Sequence, residues 1–243
     1  MNLNSLNFEI KTDGLSLNTV KVLYDRFFTN PWYKWWYEPL PEDVVVDVGA
    51  CIGMFSCQAL DAGADKVYMI EPNKDLLKVA IHNVSEYMFN MQDPIVIPIN
   101  TAIGNTLEAT SGVLTVPGAK ADTKIKLITF DEFISTYKID HIDFLKINAS
   151  GSEYDILETK NLDYFTNNVR HIAVLAHIAA FPSSLEKFKA FRDEFLKPFR
   201  DAGKVKLQGS QSWEMIDDDD ALSRAAATNG GMTDSFMFYI TNY

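Results

Sequence analysis

The chain has 243 residues, of which 47% are hydrophobic and 23% are charged. This composition excludes a disordered, collagenous or low-complexity chain. Its 22 Lys and Arg residues against 33 Asp and Glu residues give a net charge of −11. That charge repels phosphate backbones and anionic membranes, so we expect no nucleic-acid partner.

Targeting and membrane signals are missing from the sequence. No stretch approaches the roughly 18 apolar residues of a membrane span, and the N-terminus lacks a basic segment followed by an apolar run. We therefore expect a cytoplasmic protein with no membrane span. Nothing in the sequence indicates the oligomeric state.

Residues 1–43 precede the first strand pattern. Apolar residues at helical spacing, Leu23 among them, predict an amphipathic helix over residues 17–28. The aromatic segment at residues 32–37 is too bulky and interrupted for a regular element, and it could be a substrate lid, a protein contact or packing against the core. Packing is the commonest fate of clustered aromatic side chains, so we expect residues 1–43 to pack on a domain formed by residues 44–243.

The remaining sequence alternates between short apolar runs and helical patterns. The runs predict strands at residues 44–48, 66–70, 95–99, 144–147, 171–176, 204–207 and 236–240, and a hairpin formed by residues 113–116 and 124–128. The patterns between them predict helices up to Leu60, from Asn73 to about Met88, and over residues 129–137, 152–159 and 183–199. We expect Asn73 to cap the second of these helices, and Thr129 with Glu132 and Ser183 with Glu186 to form capping boxes. No helical pattern separates the last two strands, which predicts an antiparallel pair joined by a polar loop.

Strands that alternate with helices predict an α/β fold, with a Rossmann-like, doubly wound and mostly parallel sheet. In such sheets ligands bind beyond the carboxyl ends of the strands. Candidate site residues are therefore those that directly follow a strand.

A glycine-containing turn follows the first strand, in the sequence Asp47-Val-Gly49-Ala50-Cys51-Ile-Gly53. Glycines let the backbone approach a ligand, and the start of the next helix offers free N–H groups, so the turn suits a nucleotide-type ligand. The dinucleotide fingerprint needs glycine where Cys51 stands, which disfavours a nicotinamide or flavin cofactor.

An acidic residue, Glu71, ends the second strand. Its distance along the chain from Asp47 is close to the roughly 20-residue offset at which an acid binds the ribose of a nucleotide in related folds. Two carboxylate oxygens can accept both ribose hydroxyls. The turn and Glu71 together predict a nucleotide-type cofactor.

Three stretches of the chain carry a resemblance to a known family. They are VVVDVGACIG at residues 44–53, VYMIEPN at residues 67–73 and IDFLKINASGSE at residues 142–153. In these stretches the chain resembles the FkbM-type methyltransferases, a branch of the S-adenosylmethionine-dependent class I methyltransferases. The resemblance implies a seven-stranded sheet with an antiparallel last strand, S-adenosylmethionine as cofactor and O-methylation of a small molecule or sugar hydroxyl. The implied cofactor contacts are Asp47, Gly49, Ala50, Cys51, Gly53, Glu71 and Pro72.

The third stretch departs from the usual family pattern, Lys-Ile-Asp-Val-Glu-Gly-Ala-Glu. Asn148 and Ser150 replace an Asp and a Glu, and Ala176 stands before His177 where the family often has Glu. An amide and a hydroxyl make hydrogen bonds, but neither takes up a proton as a general base near neutral pH.

The catalytic candidates are Asn148, His177 and Glu153. Methyl transfer from a sulfonium is an in-line displacement that depends on alignment of the nucleophile with the methyl group. A hydroxyl acceptor requires a base, such as His177 or one of the acids Glu153 and Asp143, whereas Asn148 could orient a neutral amine. Three alternatives stay open: an O-methyltransferase, an N-methyltransferase, and a regulatory protein that binds the cofactor without turnover.

No metal site is predicted, because the four histidines are scattered and the two cysteines lack a paired motif. The acidic run at residues 217–220 is expected to be solvated surface. The ammonium of Lys146, inside a predicted strand, is expected to pair with Asp143 or Glu153.

Overall fold

The computed structural model describes residues 11–13, 15–29, 32–34, 37–88, 94–105, 125–209, 211–227 and 235–242. Its strands are β1 (Val44–Val48), β2 (Lys66–Ile70), β3 (Ile95–Ile99), β4 (Ala102–Ile103), β5 (Leu127–Ile128), β6 (Ile142–Ile147), β7 (Val169–His177), β8 (Val205–Leu207) and β9 (Ser235–Thr241). Seven of them form one sheet in the order β3-β2-β1-β6-β7-β9-β8, and β4 pairs with β5.

Helices connect most of the strands. They are α1 (Leu17–Tyr24), α2 (Met54–Asp61), α3 (Lys74–Met88), α4 (Phe130–Tyr137), α5 (Glu153–Ile156), α6 (Leu162–Asn168), α7 (Ser184–Ala190), α8 (Lys197–Asp201), α9 (Trp213–Asp217) and α10 (Asp219–Ala227). A π-helical turn, Asp25–Thr29, follows α1, and a second one, Phe191–Leu196, joins α7 to α8. No helix in the described ranges is both long enough and apolar enough to cross a bilayer.

Both faces of the large sheet are covered. Val46 and Leu145 point into the cluster that includes the aromatic residues of α4, α6 and α7. Their neighbours Val45 and Phe144 point into the opposite cluster, which α2, α3 and the N-terminal segment cover. This alternation explains why the strands have almost continuous apolar runs, and it confirms the doubly wound α/β prediction.

The last strand has the predicted orientation. β9 is antiparallel to both β7 and β8, with His177 opposite Ser235, whereas the neighbours β3, β2, β1, β6 and β7 are parallel. The carboxyl ends of the parallel strands therefore meet at one edge of the sheet, which is the edge where the site is predicted.

The predicted polar loop between the last two strands is wrong, because α9 and α10 lie there. The acidic run at residues 217–220 is exposed, as predicted, and it forms the junction of these two helices. The Asp218 carboxylate accepts hydrogen bonds from the backbone N–H groups of Asp220 and Ala221 at 2.9 and 3.0 Å. This is helix capping, which the helical periodicity alone did not reveal.

The local capping predictions had different outcomes. Thr129 and Glu132 form the predicted capping box at α4, with both side-chain to backbone hydrogen bonds present. Asn73 caps α3 through its Oδ1, which accepts from the N–H groups of Asp75 and Leu76. Ser183 stands at the start of α7, but its side chain makes no capping hydrogen bond.

Two other predicted elements differ from the structure. The helix expected over residues 152–159 is only the four-residue α5, followed by a 3-10 turn, Thr159–Asn161. The first strand of the predicted hairpin, residues 113–116, lies outside the described residues. The second predicted strand of the hairpin, residues 124–128, contains β5, and β5 pairs in parallel with β4.

The described part of the aromatic segment packs on the α2 face of the sheet. The Tyr33 ring is buried, with its centroid 5.4 Å from that of Phe27 and 5.8 Å from that of Phe55. Tyr37 stacks on Phe144 with a centroid distance of 5.5 Å. For these two tyrosines the contacts are those of the packing alternative.

Candidate functional site

A cavity of about 260 Å³ opens at the carboxyl ends of the parallel strands. This is the position predicted from the fold class. Six of the ten residues predicted to contact the cofactor or take part in catalysis line it, namely Gly49, Cys51, Glu71, Pro72, Asn148 and His177. Four others, Asp47, Ala50, Gly53 and Glu153, are not among its lining residues.

The backbone conformation of the turn after β1 explains why residue 49 is a glycine. Gly49 has a φ of +75°, and a Cβ built there would lie 2.0 Å from the carbonyl oxygen of Asn148. The backbone N–H groups of Gly49 and Ala50 both donate to the carbonyl oxygen of Ile70, at 3.0 and 2.9 Å. The turn is therefore held against the ends of β2 and β6, and a side chain at Gly49 would force it away from β6.

Glu71 is the acidic group of the cavity, and 5% of its surface is exposed. Its Oε2 accepts from the N–H of Cys51 at 2.9 Å, and its Oε1 accepts from the N–H of Asn73 at 2.8 Å. Burial raises the pKa of Glu71 to about 7 although these two bonds act in the opposite direction. Each oxygen keeps a second acceptor position, so the carboxylate can still accept a pair of ligand hydroxyls.

Asp47 and Lys146 form a buried ion pair beneath the turn. Lys146 Nζ lies 2.7 Å from Asp47 Oδ1, and the two side chains are 1% and 0% exposed. Lys146 also donates to the carbonyl oxygens of Val48 at 3.2 Å and Gly49 at 2.6 Å, while Ser56 donates its hydroxyl to Asp47 at 2.8 Å. The pair therefore supports the backbone that lines the cavity.

The expectation that Lys146 pairs with Asp143 or Glu153 is wrong. Lys146 lies directly opposite Asp47 in the register of β1 and β6, so the two side chains share one face of the sheet. Asp143 instead pairs with Arg170 at 2.9 Å.

His177 and Glu153 form a hydrogen-bonded pair at the other end of the cavity. His177 Nδ1 lies 2.6 Å from Glu153 Oε1, and the side chains are 21% and 0% exposed. The Glu153 carboxylate also accepts from the N–H groups of Ala149 at 3.1 Å and Gly151 at 2.6 Å. Glu153 thus orients the imidazole through Nδ1, and it is not itself among the residues that line the cavity.

Asn148 lines the cavity between these two groups. Its Nδ2 donates to the hydroxyl oxygen of the buried Tyr33 at 2.7 Å, which leaves Oδ1 as the acceptor atom of the amide. The contact joins residues 115 positions apart, and no pattern in the sequence indicates it.

Sequence reasoning missed two further parts of the lining. Thr101, Ala102 and Ile103 follow β3 and lie on the Glu71 side, and their place after a strand could have indicated them. Leu23 and Arg26 come from the N-terminal segment. Their three-residue spacing puts them on one helical face, which was the available signal.

The cavity and the order of the strands can be compared with known proteins. Residues 47–204 match the model of the methyltransferase FkbM domain. The chain belongs to this family. Among curated proteins, no sequence matches the chain.

Solved methyltransferase structures resemble this member of the FkbM family in fold. Methyltransferase FkbM from Methylobacillus flagellatus KT has 16% identity and a TM-score of 0.54, over 89% of this chain and 47% of that chain. The present chain thus spans about half the length of that protein. A precorrin-6y C5,15-methyltransferase from Geobacter metallireducens GS-15 has 12% identity and a TM-score of 0.44, over 100% and 98% of the two chains. Aeropyrum pernix fibrillarin, in complex with natively bound S-adenosyl-L-methionine, has 11% identity and a TM-score of 0.42, over 86% and 71%.

Two of the three departures from the usual FkbM pattern lie at the cavity, whereas Ala176 is not among its lining residues. Asn148 and Ser150, which stand where the family has carboxylates, both line it. His177, which is hydrogen-bonded to Glu153, lines the same cavity. Among the described side chains, no group of three His, Cys, Asp or Glu residues could hold a metal ion.

Proposed function

We propose that the chain is an S-adenosylmethionine-dependent methyltransferase that methylates a hydroxyl group of a small molecule or sugar. In this proposal residues 44–243 form the catalytic domain, and residues 1–43 cover it. The observation that carries the O-methylation proposal is the hydrogen-bonded pair of His177 and Glu153 at the cavity. The family of the chain supports methyl transfer as the reaction class.

The lining residues fit the cofactor. Glu71 would accept the two ribose hydroxyls, since its oxygens each have an acceptor position left. Pro72, Leu76 and Ile103 supply apolar surface for a purine on the same side. Gly49 and Cys51 would lie along the amino-acid part, with Asp47 acting through Lys146. When bound, S-adenosylmethionine supplies an electrophilic methyl group.

A hydroxyl acceptor explains the histidine pair better than an amine acceptor does. A hydroxyl must lose its proton as its oxygen attacks, and His177 Nε2 would take that proton. The buried Glu153 carboxylate would hold the ring through Nδ1 and stabilise the imidazolium. A neutral amine attacks with its lone pair before losing a proton, so it needs only an acceptor such as Asn148 Oδ1.

The test is a methyl-transfer assay that measures formation of S-adenosylhomocysteine from S-adenosylmethionine with sugar and phenol acceptors. His177→Asn should reduce kcat by about 100-fold or more, the usual contribution of a general base, and leave cofactor affinity unchanged. Glu153→Gln should lower kcat for the same reason. His141→Asn is the matched control, because the His141 side chain is 62% exposed and is not among the residues that line the cavity.

Other outcomes would favour the alternatives. Turnover that survives His177→Asn but is lost in Asn148→Ala would support an N-methyltransferase. Cofactor binding without turnover on any acceptor would support a binding protein.

A further inference from the structure

The cavity contains a cation that the proposed function does not use. Arg26, in the π-helical turn Asp25–Thr29, lines it together with Leu23 of α1. The guanidinium carbon lies 4.6 Å from the centroid of the Trp32 ring, so the group is held against an aromatic face.

Arg26 differs from the other arginines of the chain. Arg170, Arg192, Arg200 and Arg224 each have an Asp carboxylate within 4.0 Å. In the described part of the chain, no carboxylate lies that close to Arg26, and its buried Nε, like that of Arg170, has no hydrogen-bond partner. A buried donor without an acceptor is unfavourable, and this one borders a ligand cavity. The missing acceptor would then come from a ligand.

The surroundings of Arg26 place it away from the ribose end of the cavity. The carbonyl oxygen of Trp32 accepts from the hydroxyl of Tyr239 on β9, the strand that pairs with β7. His177 ends β7, whereas Glu71 and Thr101 follow β2 and β3 at the other side of the sheet. Phe27, next to Arg26, is tied to α2 because its carbonyl oxygen accepts from Gln58 Nε2. Tyr33, next to Trp32, accepts from Asn148 Nδ2 at 2.7 Å. The segment that contains Arg26 is thus held against α2, β9 and the end of β6, which is the Asn148 side of the cavity.

We propose that Arg26 recognises an oxyanion, a carboxylate or a phosphate, on the methyl acceptor. The proposal rests on the proposed function, and it narrows the acceptor to a hydroxyl compound that also carries an acidic group. A guanidinium donates two parallel hydrogen bonds to such a group, and the Trp32 face fixes its plane. With a net charge of −11 the chain repels anions at long range, so an acidic acceptor requires a local cation of this kind.

The test follows the side chain of Arg26 by NMR in the full ¹⁵N-labelled chain. The Nε–Hε resonance that disappears in Arg26→Gln is assigned to Arg26. It is then followed during titration with 4-hydroxybenzoate and phenyl phosphate, and with the neutral compounds 4-hydroxybenzamide and phenol, each with and without S-adenosylhomocysteine.

We expect a saturable shift with at least one anionic probe, and affinity at least about tenfold above that of its neutral counterpart, as a charge-assisted hydrogen bond would give. The anion that binds more tightly, 4-hydroxybenzoate or phenyl phosphate, shows whether the methyl acceptor carries a carboxylate or a phosphate. Arg26→Lys lacks this resonance, so its affinities for the same probes are measured by calorimetry; it keeps the charge and should retain part of the preference. Arg224→Gln, with a side chain 71% exposed, should leave it unchanged. No saturable shift with either anion would overturn the proposal.

The donor's own carboxylate is the competing source of the anion. If Arg26→Gln weakens binding of S-adenosylhomocysteine about tenfold or more, but not that of 5′-methylthioadenosine, which lacks the amino-acid part, Arg26 binds the donor and the proposal is wrong. A different result would be equal affinity of wild type and Arg26→Gln for S-adenosylhomocysteine, together with no shift of the Arg26 resonance on addition of the anions. In that case this proposal fails and the proposed function stands. If the wild type binds no S-adenosylhomocysteine, the proposed function fails.

Discussion

Replacing Lys146 by Met would remove the cation from the buried pair beneath the cofactor turn. Asp47 would keep only the Ser56 hydroxyl as a side-chain donor, inside a site where both members of the pair are at most 1% exposed. Removing one partner of a buried pair costs about 3–5 kcal/mol, because the other charge stays buried without compensation. The Val48 and Gly49 carbonyl groups would lose their donor as well.

Urea unfolding of wild type and Lys146→Met measures this cost as a difference in the free energy of unfolding. For a chain of this size, each kcal/mol lowers Tm by about 2–4 °C, so we expect a decrease of about 6–20 °C. Lys197→Met is the control, since Lys197 pairs with Asp201 at the surface, with side chains 60% and 61% exposed. Its cost should stay below about 1 kcal/mol.

The double variant Asp47→Asn, Lys146→Met separates the pair from its surroundings. Its loss in the free energy of unfolding should be smaller than the sum of the losses in the two single variants, because it contains no isolated buried charge. Equal decreases in the free energy of unfolding for Lys146→Met and Lys197→Met would refute the claim that burial makes loss of the Lys146 charge more destabilising.

Two further predictions concern the cofactor turn. Burial raises the pKa of Glu71 from 4.5 to about 7, so its contribution to stability is fully present below about pH 4.5 and is lost as the pH rises through about 7. The free energy of unfolding should fall across that window in the wild type and change less in Glu71→Gln, and an equal pH dependence in both would contradict the assignment. Gly49→Ala should weaken binding of S-adenosylhomocysteine about tenfold or more, because the new Cβ would lie 2.0 Å from the Asn148 carbonyl oxygen. Gly209→Ala, with φ +59° and nothing within 4 Å of the new Cβ, is the control in the same calorimetric titration, and equal effects on affinity would show that the clash is unimportant.

The sequence predicts the parts of the fold that depend on neighbouring residues. The runs at β1 and β2 are buried on both faces, so their apolar character is continuous and visible. The caps at Asn73 and Thr129 join residues two or three positions apart, and they too were predicted.

Contacts between distant segments could not be predicted in the same way. Lys146 meets Asp47 across 99 positions because β1 and β6 are adjacent and in register. Sequence periodicity gives neither the order of the strands nor their register. Similarly, Arg26 lines the cavity only because the N-terminal segment packs against α2 and β9, through contacts that span 31 and 207 positions.

The helices after β8 were missed for an electrostatic reason. A run of four Asp residues is typical of a polar loop. In the structure, Asp217 binds Arg200 at 2.7 Å and Asp219 binds Arg192 at 2.8 Å, so the helices neutralise part of the run. These arginines belong to another part of the chain, and their proximity follows from the fold.

Binding of S-adenosylhomocysteine, measured by isothermal titration calorimetry, tests the central claim most directly. The cavity should bind one equivalent of the ligand. At pH 8, above the raised pKa of Glu71, Glu71→Ala should weaken that binding by about tenfold or more, because the ribose hydroxyls lose hydrogen bonds to a charged acceptor. Absence of binding heat in the wild type, together with an unchanged melting temperature at saturating ligand, would contradict the account.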